Sequence, residues 1–139
     1  MKFTVYTANC TGNERNVLYP NRVEITDGNA LQSAAVYDHV CAKYEGCCRG
    51  REKFLASNVV VMDCDNSHTD DPAQWVTGEK LMAMLPNVAM AVVPSRNHMK
   101  EKHGKSARPR FHAYFMIPEM TDAGTYTALK QSIQRRFPF

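Results

Sequence analysis

The stretch Asn58–Asn66 constrains this chain more than any other, because it joins a run of valines to two acidic residues. Valine favours a strand, and Asn66 is typical of the turn that follows one. Successive side chains of a strand point to opposite faces, so Asp63 and Asp65 share one face, roughly 6.5 Å apart along the chain.

The other face of this predicted strand is apolar. It carries Val60, Met62 and Cys64, which we expect to enter a hydrophobic core. Two carboxylates on one face repel each other unless a cation lies between them, and oxygen ligands of this kind suit Mg²⁺ or Mn²⁺. The stretch therefore predicts a divalent-metal site; the simpler alternative is the solvated start of a loop.

The chain has 139 residues, and we expect one domain that covers residues 1–139. Its net charge of +3 is too small to indicate a nucleic-acid-binding protein. No apolar run approaches about 18 residues and no signal peptide is recognisable, so we expect no membrane segment and a cytoplasmic protein.

Cysteine usage agrees with that compartment. The five cysteines are odd in number, which favours reduced thiols over a disulfide framework. Cys41, Cys47 and Cys48 lie near His39, but their spacing is not that of a structural zinc site. We interpret them as small thiols with no metal role.

The hydrophobic pattern predicts the element order β-β-α-β-α-β-β-α. The predicted strands are 2–8, 22–26, 58–64, 88–93 and 110–117, and the predicted helices are 30–44, 77–85 and 123–136. This order favours an α+β fold, with an RRM-like mixed sheet backed by helices.

Two charged segments of opposite sign flank the fourth predicted strand. Residues 63–79 hold five acids and no Lys or Arg, whereas residues 95–109 hold five Lys or Arg and one acid. A loop of about 15 residues inside a compact domain is usually functional or mobile, although a solvated run of charge explains it as well.

The last predicted strand continues the basic loop. Arg110, His112 and Tyr114 alternate with apolar residues, so a cation and an imidazole share one face, where they could hold an anion. Carboxylates hold divalent metals, and cations hold phosphate oxygens. Phosphoryl and nucleotidyl transfer need both, because charge develops on the phosphate oxygens and on the leaving group.

These motifs resemble a known family. The segment 62–65 resembles the hydrophobic-Asp-x-Asp first motif of the archaeo-eukaryotic primase superfamily, and 110–112 falls where its second, Ser-x-His-like motif lies. The stretches 61–66 and 93–115, the second of which includes 95–98 and 107–112, are similar to the primase-polymerase domains at the N-termini of replication proteins from phages and mobile elements. The similarity covers most of the chain.

The resemblance implies a role for each matched residue. Asp63 and Asp65 would bind the catalytic Mg²⁺ or Mn²⁺ ions of a two-metal site and, with His112, form the catalytic set. Contacts to the nucleotide would come from five residues: His112, Arg110, Arg108, Lys105 and Arg96.

The implied function is that of a DNA primase/polymerase with an archaeo-eukaryotic-primase-like catalytic core. It would transfer nucleotides from NTPs or dNTPs on a single-stranded DNA template during replication of a phage, plasmid or integrative element. The compartment would be the cytoplasm of a bacterial or phage-infected cell, and a downstream helicase is the expected partner.

Two departures from the family pattern qualify this expectation. Arg110 stands where many relatives have a small Ser. The third motif, which supplies another carboxylate ligand, is expected beyond residue 139. The chain is therefore interpreted as an N-terminal fragment, truncated before that motif and weakly active or inactive by itself.

Two alternatives remain open. A rolling-circle Rep-type endonuclease also uses an RRM-like sheet, and residues 111–114 and 126–130 mimic part of its motifs, although Arg110 stands where its first His is needed. A non-catalytic nucleic-acid- or nucleotide-binding module would instead use the basic loop for phosphate contacts, with strongly salt-dependent affinity.

Overall fold

The computed structural model describes residues 1–137 and 139, which form three α-helices and seven β-strands. The strands are β1 (Phe3–Thr7), β2 (Asn21–Ile25), β3 (His39–Val40), β4 (Lys43–Tyr44), β5 (Phe54–Cys64), β6 (Met90–Pro94) and β7 (Phe111–Met120). The helices are α1 (Gly28–Ala35), α2 (Gly78–Met84) and α3 (Ala123–Arg136). The predicted α+β class is confirmed.

The chain contains two compact units, and the single domain expected for residues 1–139 stays a prediction. The first unit comprises Met1–Val60 and Met116–Ser132, and the second comprises Val61–Phe115 and Ile133–Phe139. Strands β5 and β7 and helix α3 each contribute residues to both units.

The first unit is built on an antiparallel sheet with the strand order β2-β1-β3. Alternation along β1 places Phe3 and Val5 on the face that is completely buried, together with Ile25 of β2. Tyr6 points to the other face, where its partners in register are Arg22 of β2 and Val40 of β3. The sheet therefore has one core face and one face that carries mixed side chains.

The predicted helix 30–44 is wrong beyond Ala35, where α1 ends; a turn at Val36 and Tyr37 then leads into β3. Asp38 is the reason. Its carboxylate accepts hydrogen bonds from the backbone N–H groups of Gly12 and Asn13 at 2.7 and 2.8 Å, and its backbone carbonyl accepts one from Ala8 at 2.7 Å. These bonds hold the segment beside β1 as β3, so tertiary pairing overrides the helical spacing of the apolar residues.

The second sheet has the strand order β4-β5-β7-β6. Its β4–β5 and β6–β7 pairs are antiparallel. We expected one mixed sheet, and the structure has two antiparallel sheets. The difference follows from the helix prediction, because residues 36–44 contain β3 and β4, one strand of each sheet.

Strand β6 also differs from its prediction as a buried strand over residues 88–93. It lies at the edge of the sheet, Met90, Ala91 and Val92 are half-buried, and Val88 is exposed. A continuous apolar run is compatible with either position, because burial at an edge depends on what covers the strand.

The two other helices begin where the sequence predicts. The Thr77 hydroxyl accepts a hydrogen bond from the Lys80 N–H at the start of α2, and the Asp122 carboxylate accepts one from the Thr125 N–H at the start of α3. Across residues 1–137 and 139, none of the helices combines the length and apolar character needed to cross a membrane.

Candidate functional site

The end of β5 separates apolar from acidic side chains as predicted. Met62 and Cys64 are buried, whereas the Asp63 side chain is 61% exposed and that of Asp65 is 29% exposed. The two carboxylates therefore share the solvent-facing side of the second unit. Met62 before them and Cys64 between them anchor the strand end in the core.

Asn66 turns the chain immediately after the second carboxylate. Its φ of 51° lies in the left-handed region, which Asn tolerates better than most residues. Its buried amide group donates to the carbonyls of Val76 and Pro109, both at 2.8 Å, and accepts from the Val76 N–H at 2.8 Å. This network fixes the direction in which Asp65 leaves the strand.

The imidazole of His112 lies beside the first carboxylate. His112 Nε2 is 3.5 Å from Asp63 Oδ1, and the imidazole is 30% exposed. Strands β5 and β7 are hydrogen-bonded neighbours in the sheet, so adjacent strands bring the two predicted motifs together. His112 and Asp63 therefore form one accessible acid–imidazole pair.

The second carboxylate is held by two cations. Lys102 Nζ is 3.0 Å from Asp65 Oδ2, and Arg110 Nε is 3.7 Å from Asp65 Oδ1. The Lys102 side chain is 28% exposed and that of Arg110 is 2% exposed. Asp65 is thus neutralised by one buried and one accessible cation, which offsets its repulsion from the neighbouring acid.

A tight turn in the basic loop carries Lys102 to this position. The backbone groups of Lys102 and Lys105 exchange two hydrogen bonds, and both intervening residues, His103 and Gly104, have positive φ. This geometry matches the two-residue turns of β-hairpins. Lys105 Nζ donates to the Ser67 carbonyl at 3.1 Å, so both lysines of the turn contact the segment that follows β5.

Arg110 holds other parts of the same loop in place through hydrogen bonds. Its guanidinium donates to the backbone carbonyls of Asn97, Lys100 and Ser106. The loop is therefore organised around a buried cation, where the sequence left open a solvated run of charge.

Arg108 is 1% exposed, and all five of its N–H groups have acceptors in the protein. The acceptors are the Asn66 and Thr69 carbonyls, the Asp70 carboxylate at 2.7 Å, and the carbonyl and hydroxyl of Ser106. The hydrogen bond from Arg108 lowers the pKa of Asp70, which is exposed. The guanidinium also lies over the Trp75 ring, 5.1 Å from its centroid.

The predicted site residues thus fall into three groups. Asp63, Asp65 and His112 lie together at the strand ends with Arg110. Lys105 contacts the adjacent segment, and Arg96 is exposed on the loop after β6. Arg108 binds the acidic loop internally.

Sequence reasoning missed the contact made by Lys102. Its place in the basic loop was visible, but five cations share that loop, and only the His103–Gly104 turn selects this one. Asn66 was recognised as a turn residue, but its buried network depends on Val76 and Pro109, which are distant in sequence.

The carboxylates fit a divalent metal in part. Within the residues that the structure describes, no group of three His, Cys, Asp or Glu side chains could hold an ion. Asp63 and Asp65 offer oxygen donors on one accessible face, which suits Mg²⁺ or Mn²⁺ that takes its other ligands from water and substrate phosphates. The two-metal site with a third carboxylate stays a prediction.

Comparison with known proteins found no match to this chain among family models, curated proteins or solved structures. The resemblance to the primase superfamily therefore remains a prediction that depends on the motifs themselves.

Proposed function

We propose that this chain carries a nucleotidyl-transfer site of the primase-polymerase type, with a catalytic core similar to that of the archaeo-eukaryotic primases. The observation that supports the proposal is the meeting of Asp63, Asp65 and His112 at neighbouring strand ends in the second unit. The reaction would join a strand 3′-hydroxyl to the α-phosphorus of an NTP or dNTP, with pyrophosphate as the leaving group. Single-stranded DNA would be the template.

The two carboxylates would hold Mg²⁺ or Mn²⁺, which neutralises phosphate oxygens and so favours attack at phosphorus. His112 lies on the same accessible side and would donate a hydrogen bond to a phosphate oxygen of the nucleotide. Asp63 Oδ1 lies 3.5 Å from His112 Nε2, so the imidazole is next to the first proposed metal ligand.

Lys102 would be a second phosphate-binding residue. Its ammonium group forms an ion pair with the Asp65 carboxylate, and the same carboxylate would be a ligand of the metal ion. Binding of a divalent cation would repel the ammonium from Asp65, and the accessible side chain could then contact the triphosphate. Lys105 and Arg96 lie on the same basic loop and are the further phosphate contacts of this proposal.

Arg108 and Arg110 act in this proposal as positioning residues. Their guanidinium groups are buried and occupied by protein acceptors. Arg108 fixes the acidic loop, and Arg110 fixes the basic loop together with Asp65. The sequence predicted that these two side chains contact the nucleotide. In this proposal they instead support the loops that carry Asp65 and Lys102.

The test measures the binding of a dNTP to this chain with and without Mg²⁺. Binding is monitored by Trp75 fluorescence and by calorimetry. We expect metal-dependent binding that Asp63→Asn and Asp65→Asn each weaken by at least about tenfold, since each removes a charged ligand. Asp71→Asn is the matched control, because Asp71 is exposed and caps a turn outside the site. Binding that does not depend on Mg²⁺ would contradict the proposal.

Lys102→Met separates the two roles of that lysine. We expect Mn²⁺ alone to bind more tightly, because its competitor on Asp65 is gone, and the dNTP to bind about tenfold more weakly, because a phosphate contact is lost. Lys100→Met is the control, since that side chain is exposed on the same loop. Unchanged affinity for both ligands would remove Lys102 from the site.

The structure also favours one second function, a non-catalytic nucleic-acid- or nucleotide-binding module. Asp65 already has two cationic partners, so the charge of this carboxylate is compensated without a metal. This module predicts metal-independent, salt-sensitive binding that survives Asp65→Ala. The same titration without Mg²⁺ therefore distinguishes the two functions.

The Rep-type endonuclease receives no support from its candidate nucleophile. The Tyr126 hydroxyl donates to the Val59 carbonyl at 3.1 Å, and burial raises the pKa of Tyr126 to about 12. A phenol held in this way is a poor nucleophile at neutral pH.

A further inference from the structure

The first unit contains a pocket that the proposed catalytic chemistry does not use. Its volume is about 160 Å³, and it is lined chiefly by three tyrosines, two cations and one valine of β3: Tyr6, Tyr19, Tyr44, Arg22, Lys43 and Val40. None of the residues that line it is acidic. Most of its wall is apolar, and the charges are of one sign.

The floor of the pocket follows from strand register. Arg22, Tyr6 and Val40 are partners across β2, β1 and β3, so their side chains stand in one row on one face of the sheet. The row runs from a cation through an aromatic ring to an aliphatic side chain. Lys43 of β4 comes three residues after Val40 and supplies the second cation of the lining.

Two further tyrosines form the walls, and their own contacts hold them in place. Tyr19 is buried, its N–H donates to the Cys47 carbonyl at 2.9 Å, and the Arg49 guanidinium lies 5.8 Å from its ring centroid. Tyr44 packs edge-on against Phe54, with ring centroids 6.4 Å apart. The pocket is therefore preformed and aromatic on more than one side.

The volume indicates what enters it. A protein cavity of about 150 Å³ is large enough to bind benzene, so this pocket can admit a planar ring. Aromatic walls favour a flat π-system, and two exposed cations from different strands, Arg22 of β2 and Lys43 of β4, favour a ligand with more than one negative charge beside that ring. A nucleobase in a strand meets this description, because phosphates flank it on its 5′ and 3′ sides.

We propose that this pocket binds one unstacked base of a single-stranded nucleic acid, with Tyr6 as the stacking surface and Arg22 and Lys43 on the flanking phosphates. A free nucleotide carries phosphate on one side only and would leave one cation without a partner. A duplex would keep its bases stacked and out of the pocket. The inference does not require nucleotidyl transfer in the second unit.

The test measures anisotropy of a labelled oligothymidylate of about 12 nucleotides mixed with this chain, in the Asp63→Asn/Asp65→Asn background without divalent metal. We expect Tyr6→Ala to weaken binding at least about fivefold, since base–aromatic stacking contributes on that scale. Arg22→Ala/Lys43→Ala together should reduce the slope of log affinity against log salt by about 1.4. Tyr37→Ala and Arg15→Ala, exposed residues outside the lining, should change neither quantity.

An abasic oligonucleotide of equal length separates stacking from phosphate binding and does not depend on how well Tyr6→Ala folds. We expect it to bind the Tyr6-containing protein at least about fivefold more weakly than the thymidylate. Equal affinity for the two strands, no effect of Arg22→Ala/Lys43→Ala, or equal competition by dTMP would overturn the inference. Because these outcomes are read without metal, they leave the catalytic proposal to its own Mg²⁺ titration.

Discussion

At the scale of single residues, the buried polar groups of the second unit depend most strongly on their hydrogen-bond partners. Asn66 and Arg108 are almost completely buried, and each is satisfied by partners that lie far away in sequence. A buried donor or acceptor that loses its partner costs about 1–3 kcal/mol, more for a charge. These residues therefore tolerate little chemical change, although neither would touch the substrate in the proposed function.

Asn66→Asp tests whether the hydrogen bonds donated by the Asn66 amide are required. The substitution hardly changes the volume of the side chain. The new carboxylate would face the Val76 and Pro109 carbonyls that now accept from the amide, so two attractive contacts become repulsive. We expect the free energy of unfolding, from urea denaturation at pH 7, to fall by about 3 kcal/mol.

The matched control is Asn58→Asp. The Asn58 side chain accepts a hydrogen bond from the Thr4 N–H at 3.0 Å, and a carboxylate oxygen can keep that bond. Similar losses of stability in both variants would contradict the role assigned to the Asn66 amide.

At the scale of elements, α2 and β6 pack closely at Gly78. A Cβ built on this residue would lie 2.7 Å from Val92 Cγ1, closer than such atoms approach. Gly→Ala at a helix start usually stabilises a protein through the unfolded state. Here the neighbouring strand reverses that expectation.

We expect Gly78→Ala to lower the free energy of unfolding by about 1–3 kcal/mol, because overpacking forces side chains or backbone to move. The reason can be isolated with Val92→Ala, which removes the atoms that clash. In a double-mutant cycle, Gly78→Ala should cost much less in the Val92→Ala background. An unchanged cost there would show that the close approach is not the cause.

The start of α3 provides a pH-dependent prediction. Hydrogen bonds from the side chain and backbone of Thr125 lower the pKa of Asp122 from its ordinary value of 3.8. A lowered folded pKa means that the stabilisation is present above the unfolded value and is lost as the pH falls through the folded one. Helix content by circular dichroism should therefore decline from about pH 4 downward.

Asp122→Asn keeps a good N-cap but has no charge to titrate. The variant should match the parent protein near pH 7 in helix content and show a smaller decline in acid. An equal decline in both proteins would assign the acid sensitivity to other carboxylates.

At the scale of the whole molecule, two compact units share three elements, β5, β7 and α3. Loss of structure in any of these elements removes residues from both units. We therefore expect a single unfolding transition, as is usual for small proteins of this length.

Two buried cysteines report on the units separately. Cys41 belongs to the first unit and Cys64 to the second, and both thiols are free and buried. Burial raises the pKa of Cys41 to about 12, which slows its reaction further. We expect both to be labelled by a thiol reagent at one urea midpoint, while the exposed Cys47 reacts throughout. Two separate midpoints, read by mass spectrometry of the labelled peptides, would show that the units open independently.

The sequence by itself determined the strands and helices whose patterns are set by local chemistry. Alternation predicted which side of β5 carries Asp63, and cap residues predicted where α2 and α3 begin, because these signals depend on near neighbours. Helical spacing misassigned residues 36–44, because Asp38 is held by partners from an earlier loop.

Only the tertiary structure decided how the charged side chains are used. Lys102 reaches Asp65, whereas Arg108 is occupied by Asp70 and backbone carbonyls, although both cations lie in one basic loop. Charge and residue type are properties of the sequence. Burial and the supply of hydrogen-bond partners, which determine whether a cation is free for a ligand, arise only when distant segments meet.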